Sequence, residues 1–292
     1  MPPRRRRNGS DGLVSTMQSL SERFLPAGSS AKKNCDDDDL VWYFSYGSNM
    51  SKSVFERRRG IRPRNSKRAV IRDWVIHYAY DSLPYMEPSF ATCSPRADIP
   101  ARHRDSRPDV HGVAFLITKT ELERVLATEG GWGWNDDEST GGYLLVDAVA
   151  VPYEKDDKTQ QPFQVKTLGS GASQRLRGEK CWQNLPSKRY RDLVAQGAIE
   201  SGLNERYVNF LTQQPAYEGA HHPSLKWICI LLNLPQILFV LFFNKIFLNI
   251  LGMKRSPWIV CRVLYLYKKF IFLTIVLGVE TVTGTSGYNN NI

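Results

Sequence analysis

Residues 41–46, Val-Trp-Tyr-Phe-Ser-Tyr, admit little except a β-strand, because aromatic and β-branched side chains suit a pleated, half-buried surface. Gly47-Ser48-Asn49 then ends the run with a turn. The strand also marks a boundary. Ahead of it, residues 1–39 hold Arg4–Arg7, a Gly/Ser-rich middle and Asp36–Asp39, a pattern expected of a disordered charged leader. No apolar core follows the arginines, so the leader is not a secretory signal; nuclear import is the minor alternative.

Beyond the first strand, further strands are expected at Ala69–Tyr80, Phe90–Cys93, Val110–Thr118 and Tyr143–Val151. A helix over Lys119–Thr128 would place Leu122, Val125 and Leu126 on one stripe. Glu129 continues that stripe, and Gly130-Gly131 stops the helix. Pro186-Ser187 reads as a helix start with Ser187 as N-cap, followed by Tyr190, Leu193 and Val194 at core-facing spacing. A short helix over Glu205–Gln213 would bury Tyr207, Phe210 and Leu211. Strands in the first half and helices in the second give an α+β class.

The composition changes again at Lys226. Trp227–Phe243 is apolar apart from Asn233 and Gln236, with Pro235 in the middle. A helix of this length covers roughly 25 Å, marginal against a hydrocarbon core of about 30 Å. A second apolar block, Trp258–Val279, is broken by Arg262 and Lys268-Lys269, charges that a simple span does not carry cheaply. Aromatic residues beside Lys and Arg favour a membrane-associated tail over residues 227–279, at the interface or as one span rather than two. Two buried helices packed on the domain are the alternative. Three segments follow: leader 1–39, folded domain 40–219 and tail 220–292.

The net charge of +10 invites a nucleic-acid reading. Mapped along the chain, however, it is +1 over residues 1–51, +8 over 52–72, −5 over 73–225 and +6 over 226–292. A nucleic-acid domain is basic over its own body, so no nucleic-acid partner is expected. The 52–72 run reads as a solvated helix face, or else as a contact for anionic lipid. Cys35, Cys93, Cys181, Cys229 and Cys261 are sparse and odd in number, which excludes a disulfide framework and points to an intracellular, cytoplasmic domain. No Cys/His cluster suggests a metal, and no phosphate loop, nucleophile elbow or dinucleotide fingerprint is present. No cofactor is expected.

Two features carry chemistry. The Tyr43–Asn49 turn presents successive backbone N–H groups, with glycine allowing φ > 0, and such a concavity holds a carboxylate or phosphate. Glu129 falls on the core side of its helix, where burial and the negative end of the helix dipole both disfavour its charged form. That is a setting for a general acid or base; an end frayed into solvent is the plain alternative.

Tyr43-Phe44-Ser45-Tyr46-Gly47-Ser48-Asn49-Met50 resembles the opening motif of the γ-glutamylcyclotransferase family. Val110–Phe115, the Glu129-Gly130 pair and Gly142-Tyr143 resemble its next three motifs, and Pro186-Ser187, Tyr190, Gly197-Ala198, Glu200, Gly202-Leu203, Tyr207 and Pro215 its helical pattern. The likeness runs in order over residues 40–217. It implies a mixed β-sheet curling into a small barrel with flanking helices, here followed by the apolar tail. It also implies Glu129 as the catalytic residue, with Tyr43, Phe44, Ser45, Tyr46, Gly47, Ser48 and Tyr143 around the substrate. Ser48-Asn49 looks like the branch acting on γ-glutamyl amino acids. The loop Trp132–Glu138 is longer than is typical of the family and would border the leaving group.

The reaction implied is that of a lyase forming 5-oxoproline from a small γ-glutamyl substrate, an amino acid or peptide, by intramolecular cyclisation. It needs no metal. A γ-glutamyl conjugate of a specialised sulfur metabolite is an alternative substrate, and a catalytically silent, membrane-tethered scaffold the alternative function.

Overall fold

The computed structural model describes residues 39–83, 86–101, 107–129, 143–170, 184–217 and 223–243, with isolated residues between 246 and 274. The leader over 1–38, Gly130-Gly131, the loop 132–138, Gly142 and most of Trp258–Val279 lie outside them.

Among the described residues seven strands form one sheet: β1 (Leu40–Ser45), β2 (Asn65–Ile71), β3 (Trp74–Leu83), β4 (Glu87–Pro95), β5 (Val110–Thr118), β6 (Tyr143–Pro152) and β7 (Phe163–Ser170). Their order is β1-β5-β2-β6-β7-β4-β3, and β1 also pairs with β7. That last pairing, parallel at Tyr43 with Lys166 and Phe44 with Thr167, closes five strands into a barrel. The remaining two form an antiparallel ribbon, joined to it where β4 runs parallel to β7 at Cys93 and Gly169.

Four helices follow from the sequence. In α1 (Lys119–Thr128), Glu121 N–H donates to Thr118 Oγ1 at 3.1 Å while Thr118 N–H donates to Glu121 Oε2 at 2.8 Å. This reciprocal cap stabilises a helix start by about 1 kcal/mol. Leu122, Val125 and Leu126 are buried as their spacing predicts. In α2 (Lys188–Glu200), Ser187 caps the start by accepting from Tyr190 N–H at 3.1 Å. α3 (Glu205–Gln213) buries Tyr207 and Leu211, with Phe210 packed partly against the core. α4 spans Pro223–Phe243.

Two expectations need correction, and one strand was not foreseen. The single strand over Ala69–Tyr80 is two, because the chain turns at Asp73, whose φ is 57°, and leaves the barrel for the ribbon. β7 carried no expectation, yet it is the strand that closes the barrel. Among the described residues no helix is long and apolar enough to cross a membrane, so a spanning tail has no support. In α4, Pro235 removes a backbone donor in mid-helix and Asn233 is buried rather than facing outward.

Candidate active site

The site begins where β1 leaves the barrel. Tyr43, Phe44 and Ser45 are all buried, since β1 is flanked by β5 and β7 and covered on both faces. Phe44 is a core residue. Its carbonyl accepts from Thr167 Oγ1 at 2.9 Å, and its ring lies against Gly112. Ser45 Oγ is buried with no hydrogen bond of normal geometry among the described residues. Tyr46 donates to the Leu168 carbonyl.

The turn then tightens into one 3₁₀ turn, Ser48–Met50, closed by Met50 N–H to Gly47 O at 3.1 Å. Gly47 has φ −111°, so the turn does not use the positive φ that glycine allows. Its value is space: a β-carbon there would sit 3.5 Å from Tyr190 Oη and 3.9 Å from Ala91 Cβ. Among the described residues the amides of Gly47, Ser48 and Asn49 donate to no backbone carbonyl. Behind the turn, α2 approaches closely at Gly197. Ser51 Oγ donates to Glu200 at 2.9 Å and Ser201 Oγ to Met50 O at 3.2 Å, which fixes the turn from outside.

Glu129 caps the C-terminus of α1 with its side chain about one-fifth exposed. It is not an isolated carboxylate. Asn49 Nδ2 donates to Glu129 Oε1 at 2.6 Å, and Arg59 Nη2 pairs with the same oxygen. Asn49 Nδ2 also reaches Tyr43 Oη at 3.1 Å, while Arg59 Nε donates to Asn49 Oδ1 at 2.7 Å and Arg59 Nη1 to Thr128 Oγ1. Turn and helix end are therefore one hydrogen-bonded unit.

Tyr143, at the start of β6, stacks on Tyr80 at 4.3 Å and donates to the Ala91 carbonyl at 2.8 Å. Its hydroxyl proton is thus engaged with the protein. Tyr190 lies beside it, edge-on to Phe90, with its oxygen accepting from Ala91 N–H at 3.4 Å. Burial, followed by the Glu129 carboxylate, holds the Tyr43 and Tyr190 hydroxyls well above the usual tyrosine range. Burial is the first cause for Tyr143 as well, followed by neighbouring tyrosines and then Glu129. These phenols therefore stay neutral. The Cys93 thiol, pushed up to about 12 by burial, is no nucleophile. Among the described residues no group of His, Cys, Asp and Glu could hold a metal ion.

The structure thus links Tyr43 to Glu129 through the Asn49 amide, sets Ser45, Gly47 and Ser48 along the turn, places Tyr46 and Tyr143 in the surrounding tyrosine wall, and turns Phe44 into the core. Sequence reasoning missed the part played by Arg59, treating it as one of a solvated basic run. The signal was present: Arg59 is four residues after buried Phe55, hence on the same helical face.

No family model matches the chain. Curated relatives do. It is 30% identical over 190 residues to "Gamma-glutamyl cyclotransferase gliK" of Aspergillus fumigatus, covering 61% of this chain and 63% of that protein. It is 32% identical over 171 residues to "Gamma-glutamyl cyclotransferase verK" of Clonostachys rogersoniana, covering 56% of this chain and 87% of that protein. The chain belongs to the γ-glutamyl cyclotransferase family. The likeness thus spans just under two thirds of the length of the Aspergillus cyclotransferase. A solved structure titled "Gamma-glutamyl cyclotransferase" is also similar, with 18% identity, a TM-score of 0.44 and coverage of 65% of this chain and 98% of that one.

Proposed function

We propose that this cyclotransferase closes the ring of a γ-glutamyl substrate, an amino acid or peptide, to give 5-oxoproline and the free amine. The α-amine of the glutamyl group attacks its own γ-carbonyl, so the substrate supplies its nucleophile. Glu129 takes the proton from the ammonium and returns it to the departing nitrogen, as general base and then general acid. The turn holds the glutamyl group through the Gly47, Ser48 and Asn49 amides, favouring the cyclising conformer by proximity. The observation that carries this reading is the carboxylate of Glu129, held at the edge of a turn whose amides have no other acceptor among the described residues. The Ser48-Asn49 dipeptide supports γ-glutamyl amino acids as the preferred class. Replacing Glu129 by Gln should leave the fold intact and lower 5-oxoproline release by about 10²-fold or more. Mass-spectrometric assay across γ-glutamyl dipeptides, glutathione and S-conjugates of glutathione tests both role and substrate class. Near-normal turnover by the variant would end the assignment.

A second reading concerns location. Trp227, Leu231, Leu238 and Phe242 are exposed and recur at four-, seven- and four-residue intervals, one face of α4. With the net +6 of residues 226–292, that stripe suits the surface of an anionic bilayer, lying in it rather than crossing it.

A further inference from the structure

We propose that Arg59 is the positioning residue of this site, selecting which oxygen of Glu129 handles the proton. The inference rests on the reading of Glu129 as the base.

Arg59 is buried at the end of a wide turn over Ser53–Arg58, closed by Arg59 N–H to Val54 O at 3.1 Å. This i→i+5 bond is a local geometry that helices use sparingly. The turn sends Val54 and Phe55 into the core, and Arg59 with them. Phe55 stacks between Tyr43 at 5.9 Å and Phe115 at 4.4 Å, which anchors the turn to β1 and β5. Three nitrogens of the guanidinium then reach three different groups. Nε donates to Asn49 Oδ1, Nη1 to Thr128 Oγ1 and Nη2 to Glu129 Oε1.

Its partners lie on two elements that must stay in register: the substrate turn and the C-terminal end of α1. A planar, five-donor fork can span both at once, and a lysine ammonium cannot reproduce that geometry. Asn49 completes the loop, because the amide whose oxygen accepts from Arg59 also donates to Glu129 Oε1. Oε1 thus takes two donors, one of them charged. Among the described residues Oε2 takes none. Oε2 is therefore the oxygen left to receive the substrate's proton, and Arg59 fixes where it points. With all three nitrogens engaged inside the protein, Arg59 is not placed to bind the substrate's own carboxylate.

Kinetics of Arg59→Lys and Thr128→Val on whichever γ-glutamyl substrate the wild-type full chain turns over would test this. Arg59→Lys keeps the charge and loses the fork; Thr128→Val removes one anchor at nearly constant shape and still reports if the lysine variant does not fold. A misaimed carboxylate costs turnover steeply. The expected result is a kcat about 10-fold or more lower for Arg59→Lys and about 3-fold lower for Thr128→Val, each with KM within about 3-fold of wild type. A rise in KM at unchanged kcat would make Arg59 a substrate contact and overturn the proposal. Wild-type kcat in both variants, with Glu129→Gln inactive, would overturn it while leaving the cyclotransferase reading intact. No 5-oxoproline from wild type on any substrate would remove both.

Discussion

His111 shows how one side chain couples the barrel to its helices. Its ring stacks on Tyr207 of α3 at 4.5 Å, and its Nδ1 meets the Tyr153 hydroxyl, which also accepts from Asn204 N–H at 3.2 Å. Burial lowers its pKa from 6.5 to about 4, against a smaller opposing effect of the Asp109 carboxylate. The native state therefore binds fewer protons here than the unfolded chain between those two values. Stability from this residue is fully present above about pH 6.5 and is lost as pH falls towards 4. Between pH 7.5 and 5 the loss should be about 2 kcal/mol. Urea denaturation at the two pH values should show that loss in wild type and not in His111→Phe, beyond the acid slope both share. An equal pH dependence in the two proteins would refute the coupling. The residue also illustrates what local sequence withholds: nothing around His111 names Tyr153 or Tyr207, which lie 42 and 96 positions away and meet it only through barrel closure. Glu129 was legible because a helix stripe and a glycine stop fix its position. Arg59 was obscured by two adjacent arginines, and only its spacing from Phe55 set it apart.

At the level of elements, the two glycines flanking β1 have different duties. A β-carbon at Gly112 would lie 2.2 Å from the Ser45 carbonyl oxygen and 2.8 Å from the Phe44 ring, so β5 can pair with β1 only if that side chain is absent. Gly112→Ala should destabilise the protein by about 3 kcal/mol, the upper part of the usual overpacking range, read as a lower denaturation midpoint at unchanged m-value. At Gly47 the added carbon meets only ordinary contacts, at 3.5 and 3.9 Å. Gly47→Ala should fold with stability within about 1 kcal/mol of wild type and lose 5-oxoproline release, because the methyl group fills the space beside Tyr190. Equal activity in Gly47→Ala would remove the turn from the substrate site. The same contrast explains which elements the sequence disclosed. β5, α1 and α3 have the expected bounds because each carries its own period and stop signals. The break at Asp73 and the closing strand β7 depend on partners: β7 pairs antiparallel with β6 but parallel with β1 and β4, and no local pattern in Phe163–Ser170 encodes that arrangement.

For the whole molecule, the surplus of positive charge acquires a different meaning once its partners are known. In the +8 stretch, Arg59 pairs with Glu129, Arg64 with Glu121, Lys67 with Asp157 and Arg68 with Asp156. These pairs tie β2 and the chain leading into it to α1 and to the segment after β6, so four of the nine basic side chains in the stretch brace the fold. Lys52, Arg57, Arg62 and Arg72 remain exposed. A lipid-binding role for the stretch would rest on those four, whereas the α4 stripe offers apolar area as well as neighbouring positive charge. Each exposed Trp or Leu that enters a bilayer interface contributes in proportion to the apolar area it removes from water. The full-length protein should therefore float with vesicles containing phosphatidylserine and do so less in high salt, since the electrostatic part is screened within about 8 Å at physiological ionic strength. Leu231→Glu with Leu238→Glu should abolish flotation while 5-oxoproline release in detergent-free buffer stays within about 2-fold of wild type, because both side chains are exposed on α4 and belong to neither the turn nor the Glu129 network. Flotation unaffected by the double substitution would assign membrane contact, if any, to another surface. Loss of turnover in parallel would show that α4 supports the barrel instead of projecting from it.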